Sequence, residues 1–187
     1  GRLAGAVNIT AASLRAGKAQ LPADKAKKLV FYCKGPKCTR SVRAAAIATK
    51  IGYTNVAVYN EGLPEWVKRG YPVEARRIYP AVDAPIIPAV DLKRLIETDK
   101  RVLVLDIREE EDVKAGWVAG SKNIDLESLD GHLGEVPRDR RVVIVDLHGK
   151  QANVAARYLA HKGYRDVARL DGGFVGGWLK AGLPFER

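Results

Sequence analysis

Two cysteines are the whole thiol content of this 187-residue chain, and both sit in one stretch, Leu29-Val-Phe-Tyr-Cys33-Lys-Gly-Pro-Lys-Cys38-Thr-Arg40-Ser41. Cys33 closes an apolar run, Leu29 to Tyr32, with the length and composition of a buried strand. A short loop with Gly35 and Pro36 follows, and an Ala-rich segment from Ser41 to Lys50 reads as a helix. Backbone N–H groups of such a loop converge on one point, and the helix start adds partial positive charge. Both favour a thiolate over a thiol and hold an anion beside it. Lys34, Lys37, Arg40 and Arg43 add cations in the same few residues. The alternative is a cysteine that packs as a small hydrophobe; the loop context favours a nucleophile at Cys33. Arg40 is the candidate second catalytic residue, and Lys34, Gly35, Pro36, Lys37, Thr39 and Ser41 form the candidate anion-binding loop.

Composition narrows the classes. An apolar content of 47% supports a globular core without disulfide staples. No apolar run approaches the length of a transmembrane helix. Two cysteines in a chain this long do not make a disulfide framework, and they leave the compartment open between cytoplasm and periplasm. The formal charge of +10 favours anionic small molecules or acidic partners, but the Lys and Arg residues are scattered. Without an aromatic-interleaved basic stripe, a nucleic-acid interface is not expected. His132, His148 and His161 lie far from the cysteines in sequence, so no metal set is expected, and nothing calls for a cofactor.

The elements that hold this loop occur twice. Gly5-Ala-Val-Asn-Ile9 recurs as Gly120-Ser-Lys-Asn-Ile124, and Gly52-Tyr-Thr-Asn-Val56 as Gly163-Tyr-Arg-Asp-Val167. Gly62 and Trp66 recur as Gly173 and Trp178, and Gly70-Tyr-Pro72 as Gly182-Leu-Pro184. The order in each copy is strand, helix, strand, helix, which argues for an α/β fold with a parallel sheet. Ligands then bind beyond the carboxyl ends of the strands, where Cys33 stands. The expected domains are residues 1–78 and 89–187, with a proline-bearing extended linker at 79–88. Matching apolar runs, Leu29–Cys33 against Val143–Leu147, sets Leu147 opposite Cys33 and makes the first loop three residues longer. The second copy is therefore expected to be non-catalytic. The first copy has no counterpart of the helix Ala89–Thr98 or the strand Val102–Asp106, and a homodimer that completes it is one expectation.

Taken together, Tyr32-Cys33, Arg40-Ser41, Gly52-Tyr53-x-x-Val56, Gly62-x-x-x-Trp66 and Gly70-Tyr-Pro-Val73 resemble the rhodanese-like (thiosulfate sulfurtransferase) family. Gly1-Arg-Leu-Ala-Gly-Ala-Val-Asn-Ile9 resembles that family's early motif, and Asp106-Ile-Arg108 its Asp-x-Arg at the end of the first strand. The resemblance implies two tandem rhodanese-like domains, each a mainly parallel sheet flanked by helices. It also implies sulfur transfer through a Cys33 persulfide, from a small anionic donor such as thiosulfate to a thiol or cyanide acceptor.

Two departures bear on the chemistry. The family commonly places Arg five residues after the cysteine; here Cys38 stands there and Arg40 follows at seven. A longer loop makes a wider cradle, which keeps arsenate reductase or phosphatase-like activity open as an alternative. A sulfur carrier or redox module without turnover is another. Cys38 has three readings: a resolving thiol that forms a Cys33–Cys38 disulfide, the sulfur carrier itself, or packing at the helix start. Trp66 and Trp178 read as core residues, Gly62 and Gly173 as turn positions, and Asp106 with Arg108 as a structural pair.

Overall fold

The computed structural model describes residues 1–36, 38–74 and 79–187, and the chain divides into two compact units, residues 1–78 and 79–187. Lys37, in the predicted anion-binding loop, lies outside the described residues.

The first unit runs β1 (Arg2–Leu3), α1 (Ala11–Arg15), β2 (Leu29–Tyr32), α2 (Arg40–Lys50), β3 (Val56–Tyr59), α3 (Gly62–Lys68) and β4 (Val73–Glu74). β2 and β3 are parallel, with Leu29 opposite Val56 and Tyr32 opposite Tyr59. Parallel neighbours need a crossover, and α2 supplies it. Ser41, Ala44, Ala45 and Ala48 form its buried face at helical spacing. Small side chains on that face let the helix lie close to the strands. β1 and β4 make a short antiparallel ribbon, where the Glu74 carboxylate accepts from Arg2 at 2.6 Å and from the Gly5 N–H at 2.9 Å.

The second unit runs β5 (Ile86–Ile87), α4 (Ala89–Thr98), β6 (Val102–Asp106), α5 (Glu110–Val113), β7 (Lys122–Asn123), β8 (Arg141–Val145), α6 (Ala152–His161) and β9 (Val167–Leu170). A 3-10 helix, Leu129–Glu135, precedes β8, and a π-helix, Gly173–Leu179, follows β9. The five strands form one parallel sheet in the order β5-β9-β8-β6-β7. Alternation along β8 divides the core. Val142 and Ile144 pack with Ala152, Ala155, Ala156 and Leu159 of α6. Val143 and Val145 pack with Leu92 of α4 and with Phe174 and Trp178. Both faces of the central strands are covered, which is why β8 is apolar without a break after Arg141.

The stretch expected as an extended linker ends in this sheet. Ile86 and Ile87 pair with Arg169 and Leu170, and the Pro85 carbonyl accepts the Arg169 N–H at 2.8 Å. Two β-branched residues beside the exposed edge of β9 are enough to extend the ladder.

The two Cys-loop strands differ in their neighbours. β8 lies between β6 and β9, whereas β2 pairs with β3 alone among the described residues. Val143 is fully buried, while Val30, at the same register position, is 54% exposed. The first unit has no described counterpart of β6 or α4 to cover that side.

Candidate active site

Cys33 is the first residue past the carboxyl end of β2, and α2 starts seven residues later. Its Sγ lies 3.1 Å from the Ser41 hydroxyl and 3.1 Å from the Cys38 carbonyl, with the Gly35 carbonyl at 3.9 Å. The loop is closed by a bond of 2.9 Å from the Cys38 N–H to the Gly35 carbonyl. On the other side the Leu63 N–H, in the first turn of α3, donates to the Cys33 carbonyl at 2.9 Å. Strand, loop and the starts of two helices therefore fix one sulfur atom.

The electrostatics follow from the same contacts. Burial pushes the Cys33 thiol up. Hydrogen bonds from the Cys38 thiol, from the Ser41 hydroxyl and N–H, and from the Gly35 N–H outweigh that penalty and hold the group below its ordinary value. Cys38 moves the opposite way. Burial raises it, and its bond to Cys33 favours the protonated form, against backbone N–H groups of Lys34 and Arg40 that pull it down. The loop thus shifts two neighbouring thiols in opposite directions, Cys33 below its ordinary value and Cys38 above it.

Of the predicted site residues, the structure brings Cys33, Gly35, Cys38 and Ser41 together around one sulfur. Arg40 is half-buried as the first residue of α2, and its N–H faces the Cys38 sulfur. Lys34, Pro36 and Thr39 are exposed, and the Thr39 side chain makes no capping bond to α2. Ser41 is 3% exposed, buried beneath the sulfur it contacts. Among the described residues no cluster of three or more His, Cys, Asp or Glu side chains is arranged to hold a metal.

Gly62 belongs to this site, although its sequence context reads only as a turn. It has φ of +67°, and a Cβ there would stand 2.3 Å from the Cys33 carbonyl oxygen and 2.5 Å from the Gly35 nitrogen. Only glycine fits such an approach in a left-handed conformation. Its repetition as Gly173 was the available signal, since a glycine kept at one offset from a loop in both copies marks a shared contact.

That contact corrects the alignment of the two copies. Val142 pairs with Val167 as Leu29 pairs with Val56, which sets Asp146, not Leu147, opposite Cys33. The glycine contact agrees: a Cβ on Gly173 would meet the Asp146 carbonyl at 2.6 Å and the Gly149 nitrogen at 2.6 Å. The Phe174 N–H donates to the Asp146 carbonyl at 2.7 Å, as Leu63 donates to Cys33. Cys33 reaches Ser41 across eight residues and Asp146 reaches Ala152 across six, so the first loop is longer by two residues rather than three. Matching apolar runs failed because β8 is followed by Asp146 and then by another apolar residue, Leu147.

Asp146 has a defined role in its own loop. It is 2% exposed, and its carboxylate accepts the backbone N–H groups of Gly149, Gln151 and Ala152. A fixed anion there uses the N–H groups that the corresponding loop of the first unit turns toward sulfur. The copy without a thiol is filled by its own carboxylate, with no sulfur nucleophile in it.

Because the contact with the Ser41 hydroxyl lowers the Cys33 thiol from its ordinary value, its loss has a signed consequence. Ser41→Ala keeps the N–H and removes the hydroxyl, so the Cys33 thiol is expected to ionise at higher pH than in the wild type. The pH profile of alkylation by iodoacetamide is expected to shift upward with its plateau at high pH unchanged. A profile that does not move would mean that the hydroxyl takes no part in holding the anion.

A family model described as Rhodanese-like domain matches residues 1–69 and 88–180. The thiosulfate sulfurtransferase GlpE of Shewanella oneidensis is 39% identical over 75 residues, covering 40% of this chain and 74% of that protein. A sulfurtransferase of Allochromatium vinosum is 33% identical over 92 residues, covering 49% of this chain and 84% of that protein. Among solved structures, a rhodanese-related protein of Thermoplasma volcanium aligns with TM-score 0.50 at 27% identity, over 55% of this chain and 97% of that one. A thiosulfate sulfurtransferase of Pseudomonas aeruginosa aligns over 87% of this chain and 33% of its own, with TM-score 0.51 at 20% identity, a likeness of fold.

Proposed function

We propose, for a chain that belongs to the rhodanese-like domain family and is a sulfurtransferase, that Cys33 carries sulfane sulfur as a persulfide between an anionic donor and a nucleophilic acceptor. The observation that carries this reading is the Cys33 sulfur at the strand end, 3.1 Å from the Ser41 hydroxyl, with its thiol lowered from the ordinary value by the hydrogen bonds around it.

The thiolate attacks the outer sulfur of thiosulfate. A new S–S bond forms at Cys33, the donor's S–S bond breaks, and sulfite leaves with the bonding pair. The perthiolate then gives its outer sulfur to an acceptor, and the Cys33 thiolate returns. Cyanide would leave as thiocyanate, and a thiol would leave as a persulfide. It is the thiolate that attacks, and the contacts that lower the Cys33 thiol favour that form. The donors around Sγ stabilise the anion before attack and accept it again one bond further out, as an oxyanion hole does for oxygen. Thiosulfate comes to this chain from the printed activity of its relatives, and the anion-seeking loop is consistent with it. The second unit, with Asp146 in place of the thiol, takes no part in the sulfur chemistry on this reading.

Thiosulfate is added to the reduced protein and the intact mass is followed before and after cyanide. Gain of one sulfur atom, discharged as one equivalent of thiocyanate and regained on fresh thiosulfate, is the expected cycle. A protein that gains no sulfur, or that loads once and cannot be discharged, would overturn the transferase mechanism at Cys33.

A further inference from the structure

The mechanism above uses one thiol, and the loop holds two. The Cys38 thiol is within hydrogen-bonding reach of Cys33 Sγ, its own carbonyl lies 3.1 Å from that atom, and both residues are half-buried rather than sealed. The Cys38 N–H bond to the Gly35 carbonyl folds the loop back and brings Cys38 against the Cys33 sulfur. The loop is two residues longer than its counterpart, and Cys38 lies between its ends. Nothing in the first half-reaction needs this thiol.

We propose that Cys38 resolves the Cys33 persulfide when no acceptor arrives, closing a Cys33–Cys38 disulfide and releasing the outer sulfur as hydrosulfide. This step rests on the persulfide reading given above. The Cys38 thiol gives its proton to the outer sulfur of the perthiolate. The Cys38 thiolate then attacks Cys33 Sγ. The Sγ–Cys38 bond forms, the bond from Sγ to the outer sulfur breaks, and hydrosulfide leaves with the electron pair. The Cys38 sulfur is oxidised and the outer sulfur is reduced, with no external oxidant. A dithiol reductant reopens the disulfide and restores the loop. The enzyme is thereby a donor of sulfide as well as of sulfane sulfur, and the balance depends on acceptor supply.

The test is single-turnover. Reduced wild type, Cys38→Ser and Cys38→Ala are loaded with thiosulfate, freed of excess donor, and held without acceptor. Intact mass and released sulfide are followed together. The wild type is expected to lose the added sulfur, end two hydrogens below its reduced mass, and release one equivalent of sulfide. Both variants are expected to keep the persulfide at least about tenfold longer and to release no matching sulfide, since the intramolecular thiol is gone. Dithiothreitol should return the oxidised wild type to its reduced mass and renewed loading. Variants that load and empty at the wild-type rate would overturn the resolving step and leave the persulfide reading intact. Failure of wild type and both variants to load would overturn both.

Discussion

Cys33→Ser is expected to reduce thiocyanate formation from thiosulfate and cyanide to the uncatalysed background, a loss of at least about a thousandfold, as expected when a covalent nucleophile is removed. The reason is chemical rather than steric. Serine is nearly the size of cysteine, and the donors that surround Sγ remain in place to receive an oxygen. An alcohol is not appreciably ionised at neutral pH, and an oxygen cannot carry the outer sulfur as a persulfide. Binding of the donor anion should therefore survive, detectable as protection of the loop by thiosulfate in hydrogen exchange, while turnover does not. Asp146→Asn serves as the matched control. It alters the equivalent position in the second unit and should leave turnover within about twofold of wild type, the range expected for a change outside the reacting groups. Activity retained in Cys33→Ser and lost in Asp146→Asn would reverse the assignment of the two units.

The alternation of strand and helix was legible because the apolar runs are unambiguous. Leu29–Tyr32 is a strand as expected, and the Ala-rich stretch after the loop is α2. Ser41 stands out in the sequence by its place near the start of that helix, and the structure sets its hydroxyl 3.1 Å from the sulfur. The misplacement of Leu147 has a specific cause. Hydrophobicity reports which residues face a core, but pairing fixes register, and the pairing of β8 with β9 was not visible in either segment alone. Asp146 carries no signal in the sequence because a carboxylate after a strand is common, and only three converging N–H groups distinguish it. Gly62 reads only as a turn in the sequence because its contact is with a loop nearly thirty residues earlier in the chain, and close approach across that distance leaves no local mark.

The ion pair at the end of β6 carries the other large expected effect. Asp106 and Arg108 are almost wholly excluded from water, at 0% and 2% exposure. The guanidinium donates to both carboxylate oxygens, with Nη2 to Oδ2 at 2.6 Å and Nε to Oδ1 at 2.9 Å. Its remaining N–H groups reach the carbonyls of Gly116 and Asp112, and its plane lies 4.0 Å from the Phe174 ring centroid. One side chain thus ties β6 to the segment after α5 and to the π-helix. Arg108→Leu is expected to destabilise the second unit by about 3–5 kcal/mol, because Asp106 is left as a buried charge without its cation. The Asp106→Asn/Arg108→Leu double variant should recover part of that loss, since it removes the stranded charge as well. Urea unfolding followed by tryptophan fluorescence measures both, with Trp178 fully packed in the same core as Phe174. A single variant within about 1 kcal/mol of wild type would mean that the carboxylate finds solvent or a proton at little cost. A double variant no more stable than the single would show that the lost bonds to Gly116 and Asp112, rather than the orphaned charge, dominate the penalty.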